Sequence, residues 1–213
     1  MKILITGFEP FGGEKINPSF EAVKKLENKI CGADIVKAQI PTVFHRSIEE
    51  LERLINIEQP DVVICVGQAG GRFDISIERV AINVDDARIA DNDGNKPVDE
   101  PVFKDGENAY FASLPIKAIV EEIKKANIPA SISNTAGTYV CNHIMYGLLY
   151  IIDKKYPKIR GGFIHVPFVR EQIIDKPNVP YMEISKIIEG LTLAIKGTVE
   201  NKEDLKIPYG KTC

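Results

Sequence analysis

Ala130-Ser131-Ile132-Ser133-Asn134-Thr135-Ala136-Gly137-Thr138-Tyr139-Val140-Cys141-Asn142-His143 is the stretch in which a strand pattern gives way to a helix pattern. Residues 130–134 alternate small, polar and apolar side chains. Ile144, Leu148 and Ile151 or Ile152 then recur at helical spacing until Tyr156-Pro157 ends the run. A strand that feeds a helix through a short turn is a unit of α/β architecture. The same turn puts Cys141 in the first turn of a helix. Unpaired backbone N–H groups and the positive end of the helix dipole favour an anion there, so its thiol pKa is expected to fall and its nucleophilicity to rise. The competing assignment is a buried structural cysteine.

Outward from this unit, strand-like runs fall at Lys2 to Thr6, Asp34 to Ile40, Asp61 to Val66, Ile75 to Asn83, Ala130 to Asn134 and Gly162 to Val166. Helices are predicted between them: one capped by Asn17 with Pro18 at its first position, then Phe44 to Asn56, Leu114 to Asn127, Tyr139 to Lys155 and Tyr181 to Lys196. Several strands are short and wholly apolar, as strands buried on both faces are. The expected fold is therefore a single-domain three-layer α/β/α sandwich over residues 1–213, with a largely parallel, mixed, twisted sheet. Asp85 to Asn108, rich in Asp, Asn, Gly and Pro, reads as a long excursion of the kind that carries function. Val199 to Cys213 is polar and expected to be loosely ordered.

The chain has 213 residues, 44% hydrophobic, and a formal net charge of −3 with both signs interspersed. No basic stripe suited to nucleic-acid phosphates is present. The apolar N-terminal run is too short for a signal peptide and Ile144 to Ile152 too short to span a bilayer, so neither nucleic acid nor membrane is an expected partner and the expected location is cytoplasmic. Cys31, Cys65, Cys141 and Cys213 are scattered, with no Cys-x-x-Cys pair and no His cluster. Free thiols are expected, with no zinc site, cofactor or disulfide framework.

Ligands of open α/β sheets bind where strands end, which directs attention to four loops. These are Gly7-Phe8-Glu9-Pro10-Phe11-Gly12-Gly13, Gly67-Gln68-Ala69-Gly70-Gly71-Arg72, the Cys141 turn, and the end of Gly161-Gly162-Phe163-Ile164-His165-Val166-Pro167. Neither glycine loop fits a nucleotide-binding pattern. A cysteine nucleophile needs a base, and the chain offers His45, His143 and His165. His143, two residues from Cys141 on a helix, projects from another face, and His45 beside Arg46 suits a solvated surface, which leaves His165. Glu78 lies in an apolar strand-like run, where a buried carboxylate demands a partner. Arg79 is the adjacent alternative partner but points to the opposite strand face, so Glu78 is the candidate to orient His165.

At these positions the chain resembles the type I pyroglutamyl peptidases, a family of cysteine exopeptidases. The likeness runs through Thr6-Gly7-Phe8-Glu9-Pro10-Phe11-Gly12-Gly13 with Asn17-Pro18, the segment Gly67 to Arg72, Ile77-Glu78-Arg79-Val80-Ala81-Ile82-Asn83 and Asp86-Ala87-Arg88-Ile89-Ala90-Asp91-Asn92. It continues through Ser133 to Asn142 and Gly162 to Phe168, and so covers roughly the first 175 residues in order. The resemblance implies removal of an N-terminal pyroglutamyl residue from peptides through a thioester, with a triad of Cys141, His165 and Glu78. It also implies Phe8 and Phe11 as walls for the lactam ring, with Asn17, Gln68 and Val140 lining the site and Tyr139 at a commonly aromatic position. Asn17 also fits a plain helix cap. By resemblance Arg88 lies near the nucleophile, where it would support an oxyanion; an ion pair with Asp86 or Asp91 is its alternative. A homotetramer without metal or cofactor is the implied assembly. The rival assignments are a nucleoside phosphorylase-like α/β enzyme, which would require phosphate and survive thiol alkylation, and a non-catalytic binder of modified peptide N-termini, in which Cys141 or His165 would be lost.

Overall fold

The computed structural model describes residues 1–210. Seven strands form the main sheet: β1 (Lys2–Phe8), β2 (Lys29–Ile30), β3 (Ala33–Ile40), β4 (Val62–Gln68), β5 (Ile75–Glu78), β8 (Ala130–Ser133) and β9 (Arg160–Val166), in the order β2-β3-β1-β4-β9-β5-β8. The centre, β3-β1-β4-β9, is parallel. β2 is antiparallel to β3 at one edge. At the other, β5 runs against β9 and β8 runs with β5. β6 (Val80–Ile82) and β7 (Ala109–Phe111) make a separate antiparallel pair.

Side-chain alternation sorts the core into two layers. Ile3 and Ile5 of β1, Val62, Ile64 and Val66 of β4, and Ile164 and Val166 of β9 face a cluster shared with α1 (Pro18–Val23), α3 (Ile116–Lys125) and α5 (Ile184–Glu200). Leu4, Val63, Cys65 and Phe163 face the opposite cluster, shared with α2 (Arg46–Glu58) and α4 (Val140–Lys155). Each fully buried aliphatic side chain contributes on the order of 1.5–3 kcal/mol, so two filled faces hold the sheet against its helices. This is the expected α/β/α sandwich with a mixed, mostly parallel sheet.

The run from Ile75 to Asn83, expected as one strand, is two. β5 pairs with β9 and β8, the ladder ends at Glu78, and β6 leaves to pair with β7. A period-2 pattern specifies faces but not partners, so the break does not show in it. α2 begins at Arg46 rather than Phe44, because His45 has φ 61° and cannot extend a right-handed helix. α5 spans Ile184–Glu200 rather than 181–196. The polar stretch after α5 runs back along α3: Pro115 cannot cap that helix, and Asp204 Oδ1 accepts from Lys117 N at 2.9 Å and Ala118 N at 3.1 Å. Cys213 and the last residues of this stretch lie outside the described residues.

Candidate active site

β9 alternates inward and outward, which puts His165 on the same face as Phe163, their rings 4.8 Å apart. Ser76 and Gly67 are its neighbours on either side, so β5 and β4 frame the imidazole. Glu78 is fully buried two residues along β5, and its Oε1 lies 2.7 Å from His165 Nδ1. Burial alone would raise the Glu78 carboxyl. The hydrogen bond and charge of His165, then the Ser133 hydroxyl and the Arg72 guanidinium, outweigh it and hold the group below its ordinary value. An ionised Glu78 can only accept, so Nδ1 carries the proton and Nε2 is left with its lone pair outward.

Cys141 is the second residue of α4, after Gly137 has turned the chain at φ 79° and Tyr139 has ended the extended segment. Its sulfur packs against Gly67: a Cβ built there would meet Sγ at 2.9 Å and Phe163 Cζ at 2.6 Å. Gly67 is also the ladder partner of His165, so one glycine touches the Cys141 sulfur and pairs with His165. The expected fall in the Cys141 thiol pKa does not occur. Burial pushes it up, the Glu78 charge adds to the rise, and Arg72 opposes it. Tertiary burial outweighs the helix terminus, so a thiolate here would need a base to take the proton. Cys65 is buried on β4 and pushed up to about 12 by that burial; Cys31 is exposed.

An aromatic shell flanks Cys141. Phe8 is buried with its ring 6.4 Å from Phe163, while Tyr139 stands 6.1 Å from Phe11 and edge-on to Phe44 at 5.5 Å. The Tyr139 hydroxyl donates to Ala90 O at 3.1 Å and is pushed up to about 12, first by burial and then by the charges of Asp91 and Cys141. Val140 is fully buried beside it. Gln68 Oε1 accepts from Gln172 Nε2 at 2.8 Å. Asn17 caps α1, accepting from Ser19 N at 3.1 Å, and donates to Glu9 O at 3.1 Å; Ser19 Oγ in turn holds the Phe8 N–H at 2.9 Å. Asn17 therefore steadies the loop that bears Phe8 and Phe11. Arg88 is exposed and, among the described residues, makes no ion pair with Asp86 or Asp91. Asp91 is instead engaged by the Phe44, Asp93 and Asn95 backbone N–H groups.

Besides His165, the cation that pairs with Glu78 is Arg72, not Arg79. Arg72 Nη1 donates to Glu78 Oε1 at 2.7 Å and Nη2 to Thr135 O at 3.1 Å, whereas among the described residues the buried Arg79 Nε has no partner. The sequence signal was a cation six residues before Glu78, at the end of a glycine loop able to fold back. His143, set aside as a base, is fully buried. Its Nε2 accepts from His45 N at 2.8 Å, so Nδ1 is the protonated nitrogen and donates to Asp85 Oδ2 at 2.7 Å. This second His–carboxylate pair ties α4 to the strained His45 and to the excursion after β6. Its neighbour Asn142 does the same, accepting from Ile82 N and donating to Ile82 O and Val84 O. Among the described residues no group of three or more His, Cys, Asp or Glu could hold a metal ion, and no helix is long and apolar enough to cross a membrane.

A thiol at a helix start, with an imidazole and a buried carboxylate on separate strands, is the set of groups a cysteine hydrolase requires. The family model described as pyroglutamyl peptidase matches residues 1–201. A pyrrolidone-carboxylate peptidase of Clostridium botulinum is 60% identical over the full length of both chains. One of Thermosipho africanus is 64% identical over 96% of this chain and 100% of its own. Among solved structures, pyroglutamyl peptidase I of Bacillus amyloliquefaciens superposes with a TM-score of 0.93 at 50% identity, covering 96% of this chain and 99% of its own. The pyrrolidone carboxyl peptidase of Thermococcus litoralis gives 0.93 at 38% identity, covering 97% and 99%.

Proposed function

The chain belongs to the pyroglutamyl peptidase family, cysteine peptidases that remove an N-terminal pyroglutamyl residue from peptides, and on that premise we propose that Cys141, His165 and Glu78 carry the hydrolysis. Cys141 Sγ attacks the pyroglutamyl carbonyl carbon as its proton passes to His165 Nε2. The oxyanion is met by the open N–H groups of the first turn of α4 and by the Arg88 cation. Collapse breaks the C–N bond, His165 returns the proton to the leaving amine, and a thioester remains. Water, deprotonated by His165, then attacks the thioester, releasing pyroglutamate and restoring the thiol. Glu78 holds Nδ1–H throughout and stabilises the imidazolium formed in each half.

The observation that carries this mechanism is the 2.7 Å bond from His165 Nδ1 to a buried, ionised Glu78, with Cys141 Sγ packed on the glycine that pairs with His165. The lactam ring, flat and uncharged, suits the walls of Phe8, Phe11, Tyr139 and Val140, with Gln68 and the loop fastened by Asn17 supplying polar edges. No step calls for a metal or cofactor. The substrates are peptides with N-terminal pyroglutamate, acted on in the cytoplasm by a homo-oligomer, a tetramer by family resemblance; sedimentation of the purified chain tests the assembly. The catalytic assignment is tested by chromophore release from a pyroglutamyl amide. Wild type is expected to turn over and to be inactivated by iodoacetamide with Cys141 alkylated; full activity after Cys141 alkylation overturns it.

A further inference from the structure

Phe8, Cys141 over Gly67, His165 and Glu78 succeed one another across the sheet on β1, β4, β9 and β5. A substrate whose lactam ring lies on the β1 side, with its scissile carbon at Cys141, sends its leaving chain past His165 towards β5 and β8. On that edge the face shared with His165 and Glu78 is polar. Ser76 pairs with His165 on one side and Ser131 on the other, and Glu78 pairs with Ser133. Together with Gly71, Arg72, Phe73 and Asp74, these serines line a cavity of about 450 Å³, within the range that holds small ligands.

Its walls have the chemistry of a cation site. Asp74 is only 9% exposed, its Oδ1 accepts from Ser76 Oγ at 3.0 Å, and among the described residues it has no cationic partner. The one cation on the wall, Arg72, is already engaged by Glu78 and the Thr135 carbonyl. Phe73, 67% exposed, offers an aromatic face beside it, and carboxylate with aromatic ring is a pairing that attracts ammonium and guanidinium groups. A largely buried carboxylate without a counter-charge is costly until a cation arrives.

We propose that this cavity receives the residue following pyroglutamate, and that Asp74 makes it select a basic side chain over an acidic one there. The proposal rests on the pyroglutamyl peptidase function and adds to it a leaving-side subsite. Pyroglutamyl peptides differing only in the second residue, lysine, leucine or glutamate, test it by kcat/KM on wild type, Asp74→Asn and Ser131→Leu, alongside a pyroglutamyl amide with no second residue. Wild type is expected to favour lysine over glutamate by about fivefold or more, less so at high salt, as for a partly exposed ion pair. Asp74→Asn keeps the bond from Ser76 and should bring that ratio close to one. Ser131→Leu, which fills the cavity, should lower kcat/KM on the peptides relative to the amide. An equal lysine preference in wild type and Asp74→Asn, no preference in wild type, or a Ser131→Leu effect equal on amide and peptides overturns the subsite. Amide turnover reports on the peptidase separately: if wild type releases the amide while the second residue makes no difference, only the subsite falls.

Discussion

Replacing Arg72 by glutamine removes one of the two donors to Glu78 Oε1 and the guanidinium that pairs with this fully buried carboxylate. A hydrogen bond to a charged group contributes about 1.5–3 kcal/mol, and removing one partner of a wholly buried ion pair costs about 3–5 kcal/mol. The Arg72 side chain is 30% exposed, so water screens part of the interaction and the lower figure applies, about 2 kcal/mol. At roughly 2–4 °C per kcal/mol for a chain of this length, Tm should fall by about 4–8 °C. The pH dependence has a definite sign. The Glu78 carboxyl lies below its ordinary value: burial pushes upward, and His165, with Ser133 and then Arg72, more than compensates. A depressed carboxyl stabilises the native state above its unfolded pKa, and that contribution is lost as pH falls through the folded value. Without Arg72 the folded value rises, so the acid limbs of both stability and kcat/KM should move to higher pH. Melts followed by circular dichroism and kcat/KM on a pyroglutamyl amide, both between about pH 4 and 8, read the two effects. Arg72→Lys should recover part of each, since it keeps the charge but loses the fork that also reaches Thr135. Wild-type Tm and an unmoved acid limb in Arg72→Gln would refute the assignment of Arg72 as the partner of Glu78.

Cys141→Ser and His165→Ala should each lose roughly a thousandfold or more in kcat while remaining folded; activity within a few-fold of wild type in either removes that residue from the mechanism. His143→Ala differs in kind: it strands Asp85 in the interior and should cost about 3 kcal/mol, seen as a lowered Tm, with activity falling only as far as α4 shifts. An unchanged Tm would contradict the buried pair. Gly67→Ala forces a methyl against Phe163 and the Cys141 sulfur and should destabilise by about 1–3 kcal/mol while depressing kcat; normal turnover would show that the sulfur has room to move. Prolyl amides should be cleaved about ten thousandfold less efficiently than pyroglutamyl amides, because a charged ring amine would be desolvated without a partner. Comparable kcat/KM on the two would disprove a lactam pocket.

What the chain states locally, it states well. Asn17 before Pro18 is a helix start because a side-chain oxygen must meet free N–H groups and proline gives up none, and the structure has that cap. Period-2 alternation in β9 is enough to place His165 and Phe163 on one face, and the turn before α4 is enough to place Cys141 at a helix start. These depend on neighbours within a few residues, so sequence by itself determined the α/β elements, the position of Cys141 at a helix start and a short list of histidines to consider as its partner. Contacts between distant segments were another matter. Only assembly of the sheet inserts β9 between β4 and β5, breaks the run at Arg79 and swings Arg72 back onto Glu78. Only burial against Gly67, with Glu78 nearby, reverses the expected fall in the Cys141 thiol. His143 reads only as a histidine on another helix face from Cys141 until Asp85, 58 residues away, closes over it. A residue's type and spacing set which face it presents, but its charge state and its partner follow from what the rest of the chain packs against that face, and this is decided in three dimensions.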